Sequence, residues 1–339
     1  LWFGAAVHVA LAAWYLPGLE RGPHPAETFD KSLKGDRSFL VTSEDEEKEY
    51  ADARELGIDM LERYVEHYGR DERWFVIATE QQFQVWLPHP IHRSLRRWLR
   101  YVGTFDGVYR DLDTGEILLM EHKTAAGIDP AYLNLDDQAG SYWAVANHKL
   151  RSQKVLARKE SIAGIQYNFL RKALRDTRPR DEKGLYHNKP QKQHYVDALE
   201  AVIAERGIRM ELSGREKLDE LEELAQAAGI TVLGEVSKIQ PPAFFERWPV
   251  YRDQKERRTM IRRIQAEATY AEAWRAGNFE THPLFKTPIA AGPQACRWSC
   301  AFHRMCELHE QGDSGWEEFR DAMYERADPY AAHERKSAE

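Results

Sequence analysis

Between Val102 and Thr124 the chain carries two β-rich segments separated by a short turn, and this hairpin constrains the fold more tightly than any other stretch. Val102-Gly-Thr-Phe-Asp-Gly-Val-Tyr-Arg110 alternates in side-chain type, and Ile117-Leu-Leu-Met-Glu-His-Lys-Thr124 is β-rich and apolar, so both read as strands. Asp111-Leu-Asp-Thr-Gly115 joins them as a turn. A pivot near Asp113 makes positions whose numbers sum to about 226 face each other, which sets Asp106 beside Met120 and Glu121. Because side chains alternate along a strand, Glu121 and Lys123 share one face while His122 points away.

An isolated Glu-x-Lys triplet is ordinarily a solvated pair on a strand edge. Here it sits inside Leu-Leu-Met-Glu-His-Lys, where an acid and a base are costly to bury unless a metal or each other compensates. Two carboxylates, Asp106 and Glu121, and the backbone carbonyl of His122 present hard oxygens suited to Mg2+ or Mn2+, and the Lys123 ammonium can orient a water beside them. The expected chemistry is phosphodiester hydrolysis.

Fifteen residues after Lys123 comes Gln138, followed at helical spacing by Tyr142. The i, i+4 step puts both on one helix face beside Val145, and Asp136 or Asp137 is placed to cap that helix. Taken together, Gly103-x-x-Asp106, Glu121-x-Lys123 and Gln138-x-x-x-Tyr142 resemble the PD-(D/E)XK superfamily, specifically its RecB-like exonuclease branch. The resemblance implies an α/β, restriction-endonuclease-like αβββαβ core with a mixed central sheet. It also implies that Asp106, Glu121 and Lys123 are catalytic and that Gln138 and Tyr142 contact DNA or order the active site. Phe3-Gly-Ala-Ala-Val-His8 resembles the branch's G-x-x-x-H motif, whose His is a further metal ligand, and Glu80 matches a weaker family position.

All three cysteines, Cys296, Cys300 and Cys306, fall in Cys-Arg-Trp-Ser-Cys-Ala-Phe-His-Arg-Met-Cys. An odd count confined to one short run argues against a disulfide framework and for a reducing compartment, and such thiolates suit zinc or an iron–sulfur cluster, both of which want four ligands. Several RecB-like nucleases, including AddB-type helicase-nucleases and CRISPR-associated exonucleases, hold a four-iron (4Fe-4S) cluster with three C-terminal cysteines and one cysteine ahead of the G-x-x-x-H motif. The resemblance therefore implies an iron–sulfur staple whose fourth ligand lies in an N-terminal segment before Leu1. A Cys3His zinc site closed by His303 or His309 is the competing expectation.

The net charge of −7 is unusual for a DNA-binding chain, but its distribution is uneven. From Lys149 to Lys192 there are 13 Lys or Arg against 4 Asp or Glu, a local +9, and this stretch is expected to track phosphates through residues such as Arg171, Lys172 and Arg175, with Arg247 to Arg263 as a second basic contributor. Leu1 to Leu19 is apolar but interrupted by His8 and lacks a basic leader, so it reads as a buried helix and not as a signal peptide or membrane span. A cytoplasmic protein, in a bacterium or a phage-infected cell, is the expectation.

Helices are expected over Leu1–Tyr15 and Asp45–Tyr68, the latter opened by the acidic run Glu44 to Glu49 and exposed. Strands follow over Trp74–Leu87, Trp98–Asp111, Glu116–Lys123 and, after the Gln138 helix, Gly164–Lys172. Tyr195 to Gly229 reads as a helical pair with a capping box at Ser213-Gly-Arg-Glu216, Thr231–Val236 and Phe244–Tyr251 have strand character, and Asp253–Ala276 is a long helix. The expected division is a nuclease core at 1–175, a largely helical insertion with short strands at 176–252, and C-terminal helices with the cysteine cluster at 253–339. No Walker-type G-x-x-x-x-G-K-[ST] occurs, so an ATP motor would have to come from a helicase or recombination partner. The activity expected is that of a DNA exonuclease acting on single strands or duplex ends in recombination, repair or end processing. The alternatives are a catalytically idle DNA-binding scaffold and a nuclease subunit of a larger helicase or CRISPR adaptation complex.

Overall fold

A computed structural model describes residues 2–41, 43–89, 91–207, 212, 215–275 and 302–325. Three helices lead: α1 (Trp2–Trp14), α2 (Pro25–Leu40) and α3 (Glu44–Tyr68). Strands β1 (Trp74–Pro88), β2 (Leu95–Asp111) and β3 (Ile117–Ala125) follow, then a 3-10 turn (Pro130–Leu135), helix α4 (Asp137–Ser152) and strand β4 (Ile162–Arg171). Helices α5 (Lys192–Arg206) and α6 (Leu218–Ala227), strand β5 (Phe245–Tyr251) and helix α7 (Gln254–Arg275) come next, with short helices α8 (His303–Glu310) and α9 (Trp316–Met323) after them.

The five strands form one sheet in chain order, antiparallel throughout except for the parallel pair β3–β4, which α4 bridges. This is the mixed sheet of a restriction-endonuclease-like α/β fold. One face is covered by α1, α2 and α3, whose Val7, Leu11, Phe29, Leu61 and Tyr64 pack against Trp74, Tyr109, Leu118 and Met120. The other is covered by α4 and α7, with Trp143, Val145, Leu150 and Met260 against Phe105, Leu119, Ile165 and Phe169. Strand β5, inside the stretch read as an insertion, completes the sheet beside β4, while α5 and α6 share a small core of their own around Leu199, Leu221 and Ala225.

Several boundaries differ from expectation. Helix α2 is unread in the sequence because its apolar residues, Ala26, Phe29, Leu33, Phe39 and Leu40, are sparse among polar ones. His24 caps it through Nδ1, which accepts the Ala26 N–H, and Pro25 opens it. Helix α3 starts on Ser43, carries four acids in its first turn and stops at Gly69, but it is not merely exposed: it buries Tyr50, Met60, Leu61 and Tyr64. The hairpin closes with Asp111 N–H bonded to Glu116 O, giving Gly107↔Met120 and Val108↔Leu119, so partners sum to 227 and Asp106 falls opposite Glu121. Thr231–Val236 forms no strand; only an isolated bridge, His187↔Val236, is present there. Helix α6 begins after Lys217, whose N–H bonds the Glu220 side chain; Ser213 and Gly214 of the expected capping box lie outside the described residues. Among the described residues no helix is long and apolar enough to cross a membrane.

Candidate active site

Strands β2 and β3 pair as far as Gly107↔Met120. One residue further the Asp106 carboxylate takes over from the backbone ladder: Oδ2 accepts the His122 backbone N–H at 2.8 Å. Its other oxygen, Oδ1, lies 3.2 Å from Nδ1 of His8, which α1 lays over the sheet at this point. Burial alone would raise the Asp106 carboxyl, but the hydrogen bond and charge of His8, with the His122 N–H, hold it below the usual carboxylate range. Burial likewise works against a charged His8; the Asp106 hydrogen bond and the charges of Asp106, Glu121 and Glu80 outweigh it and raise the imidazole.

Glu80 enters from the opposite side of β2. Thr79 pairs with Gly107 and Gln81 with Phe105, which leaves Glu80 across from Asp106, and its backbone is left-handed at φ 46°. A non-glycine residue held there costs about 1–3 kcal/mol, a strain that tends to persist where a site requires it. His8, Glu80 and Asp106 each bring a ligand atom to within 4.8 Å of the others.

On the α4 side of the strand, Glu121 Oε1 and Lys123 Nζ are 2.8 Å apart. Burial first, and the nearby Asp106 second, push the Glu121 carboxyl up to about 7. Lys123 is raised despite its burial because Glu121, Asp136 and Asp106 surround it. Asp136 serves twice: Oδ1 caps α4 by accepting the Ala139 N–H at 3.1 Å, and Oδ2 lies 3.7 Å from Lys123 Nζ. Gln138 follows on the same turn, its Oε1 accepting from Lys123 at 3.5 Å. Tyr142, one turn on, packs its ring edge-on against Phe83 at 5.1 Å and Phe105 at 6.0 Å. Gly103 has to be glycine for that packing, since a Cβ there would lie 2.6 Å from the Phe83 ring and 2.9 Å from Tyr142.

The fold thus brings together His8, Glu80, Asp106, Glu121, Lys123, Gln138 and Tyr142 from five elements. It does not gather the basic trio on one free surface. Arg171 is buried with its guanidinium 4.2 Å from the Phe244 ring, Arg175 is paired with Glu66 and Asp59, and Lys172 is exposed above Phe3. Cys296 and Cys300 lie outside the described residues, and Cys306 is exposed on α8.

No local motif points to what lies beneath His122. Its ring faces the α1 side and is neutral, burial lowering it to about 3. Asn168 Nδ2 donates to its Nδ1 at 2.8 Å and to Tyr64 OH at 3.0 Å, while Asn168 Oδ1 accepts from Arg247 Nε at 3.1 Å. Arg247 also bonds both Asp71 oxygens, at 2.9 and 2.5 Å, and the hydroxyls of Tyr15 and Tyr64. A basic residue expected to meet phosphate is therefore the partly buried hub of a network under the site.

The donor set suits a hard divalent cation. Carboxylates converge with an imidazole in a partly buried place where Glu121 is hard to ionise, which is the condition a bound cation relieves. No curated protein matches the chain. Residues 1–307 match the model of the PD-(D/E)XK nuclease superfamily, and with most of its length so covered the chain belongs to that superfamily.

Proposed function

We propose that this protein is a divalent-metal-dependent DNA exonuclease that trims strands from their ends in recombination, repair or end processing. The observation that carries this is the convergence of His8, Glu80 and Asp106 beside the Glu121–Lys123 pair. His8, Glu80, Asp106, Glu121 and the His122 carbonyl would hold Mg2+ or Mn2+, which when bound polarises the scissile phosphoryl group and acidifies a water. Lys123, kept protonated by its carboxylate neighbours, donates to a water beside Glu121 and steadies negative charge as it develops. Asp106 holds His8 and is itself held by His122, so the ligands are set before substrate arrives. Gln138 and Tyr142, on the α4 face next to Lys123, contact the DNA strand. We further propose that Cys296, Cys300 and Cys306 ligate an iron–sulfur cluster, a reading supported by their spacing and by the branch they resemble.

The test is degradation of end-labelled single- and double-stranded DNA with Mg2+ or Mn2+, alongside a closed circular plasmid. Shortening from an end that stops with EDTA is expected. Cutting of the closed circle would replace the exonuclease reading with an endonuclease one, and no cleavage of any DNA would sink it.

A further inference from the structure

Strands β1 and β2 run well past the end of β3 pairing, as a two-stranded arm. From Gln81 to Phe105 this arm contains four arginines, Arg93, Arg96, Arg97 and Arg100, and neither Asp nor Glu, in a chain of net charge −7. One face packs inward: Phe83, Val85, Tyr101 and Phe105 join the core around Tyr142. The other face starts at Glu80 opposite Asp106 and continues outward through Gln82↔Thr104, Gln84↔Val102 and Trp86↔Arg100. At about 3.3 Å per residue it reaches about 20 Å from the cation ligands, room for several nucleotides.

The outer end of the arm is aromatic and cationic. Trp86, on this face, is 44% exposed with the Arg100 guanidinium 5.7 Å from its ring. The β1–β2 register shifts beyond Trp86, and past that shift, at the tip of the arm, Trp98 is 68% exposed, yet its Nε1–H is fixed to Glu272 Oε1 at 2.6 Å, which holds the indole in place. Helix α7 braces the arm further, through Arg96 Nη1 to Glu272 Oε2 at 2.7 Å and Gln265 Nε2 to Pro88 O at 3.3 Å. Indoles held open to solvent beside arginines suit unpaired bases, because a base offers its face only where it is not stacked inside a duplex, whereas phosphate recognition alone needs only cations.

We propose that the outer face and tip of the arm form the track by which single-stranded DNA reaches the cleavage site, its bases stacking on Trp86 and Trp98 and its phosphates facing Arg100. The proposal rests on the nuclease reading for its purpose, but its test reads binding and not cleavage. In EDTA, the affinity of a short fluorescein-labelled oligo(dT) is measured by anisotropy for the wild type and for Trp86→Ala, Trp98→Ala, Trp98→Phe and Arg100→Gln. Each alanine variant is expected to bind about tenfold more weakly. Arg100→Gln should make the log–log salt slope shallower by about one. Trp98→Phe keeps a ring but loses the bond to Glu272, so it should stay near wild type. A loss there as large as that of Trp98→Ala would assign the effect to bracing and overturn the track. Unchanged oligo(dT) affinity in the Trp86→Ala/Trp98→Ala double variant, or an equal loss on blunt duplex, would also overturn it. A wild type that binds oligo(dT) through these residues but cleaves no DNA would leave the track standing and remove the nuclease reading.

Discussion

Asp106 and His122 are joined by a 2.8 Å hydrogen bond from the His122 backbone N–H to Asp106 Oδ2, so the carboxylate that faces His8 is also a rung between β2 and β3. A carboxylate held in this way keeps its aim as long as the two strands stay paired, which is the form of pre-organisation that catalysis by charge placement needs.

Asp106→Asn and Lys123→Ala should therefore each lower DNA cleavage by about a hundredfold or more, because each removes a group aimed at charge developing in the transition state. Circular dichroism should stay close to wild type for Lys123→Ala, with a lowered thermal midpoint because buried Glu121 loses its partner. Full activity in Lys123→Ala would exclude the mechanism.

Glu121 carries a stability cost that the site tolerates. Its folded-state carboxyl titrates at about 7, above the usual carboxylate range, through burial and the charge of Asp106. A carboxyl raised on folding is harder to ionise in the folded state, so the metal-free protein loses stability as pH rises from the unfolded value of about 4.5 through 7. Glu121→Gln should raise the urea midpoint of EDTA-treated protein at pH 8, with the gain shrinking to little near pH 5, while abolishing cleavage. An equal gain at both pH values would show that ionisation is not the cause.

The hub beneath the sheet should behave as a buried ion pair. Arg247→Met alone leaves Asp71 charged and buried, and is expected to cost about 3–5 kcal/mol in urea unfolding. Combining it with Asp71→Leu should recover much of that loss, since replacing both partners removes the uncompensated charge. A double variant as unstable as the single would mean that the tyrosine hydroxyl bonds, and not the charge pair, hold β5 in place.

Protein purified without oxygen should be brown and contain iron and sulfide. Cys300→Ser should lower solubility and the melting temperature, with activity falling as a consequence, because the staple acts on the fold. Stoichiometric zinc without iron would replace the cluster with a Cys3His site using His303 or His309, and absence of both metals would remove the staple.

The hairpin and the helix after it were legible because their signals are local. Strand alternation and a capping aspartate set Glu121, Lys123, Gln138 and Tyr142 near one another without any tertiary information. The register came out one residue away from the pivot at Asp113, since Gly115, at φ 75°, lets the turn run on to Glu116 before the ladder starts. Glu80 could be matched only loosely, because nothing in a sequence announces a left-handed residue inside a strand. The arm did carry a readable sign, twenty-five residues free of acids around four arginines, which the larger basic stretch after Lys149 overshadowed. Arg171, Arg175 and Arg247 looked like surface charge because their partners Phe244, Glu66 and Asp71 are remote in sequence, and only folding reveals them.

The bonds from Arg247 to Tyr15 and Tyr64 span 232 and 183 residues. A chain leaving the ribosome N-terminus first therefore exposes every proposed cleavage residue well before β5 exists to neutralise Asp71 and close the layer under His122. Contacts this distant are late contacts, and the entropy of so long a loop must be met before they form. The blade is forged early but hafted late: synthesis itself delays an ordered site until β5 has joined the strands that carry it.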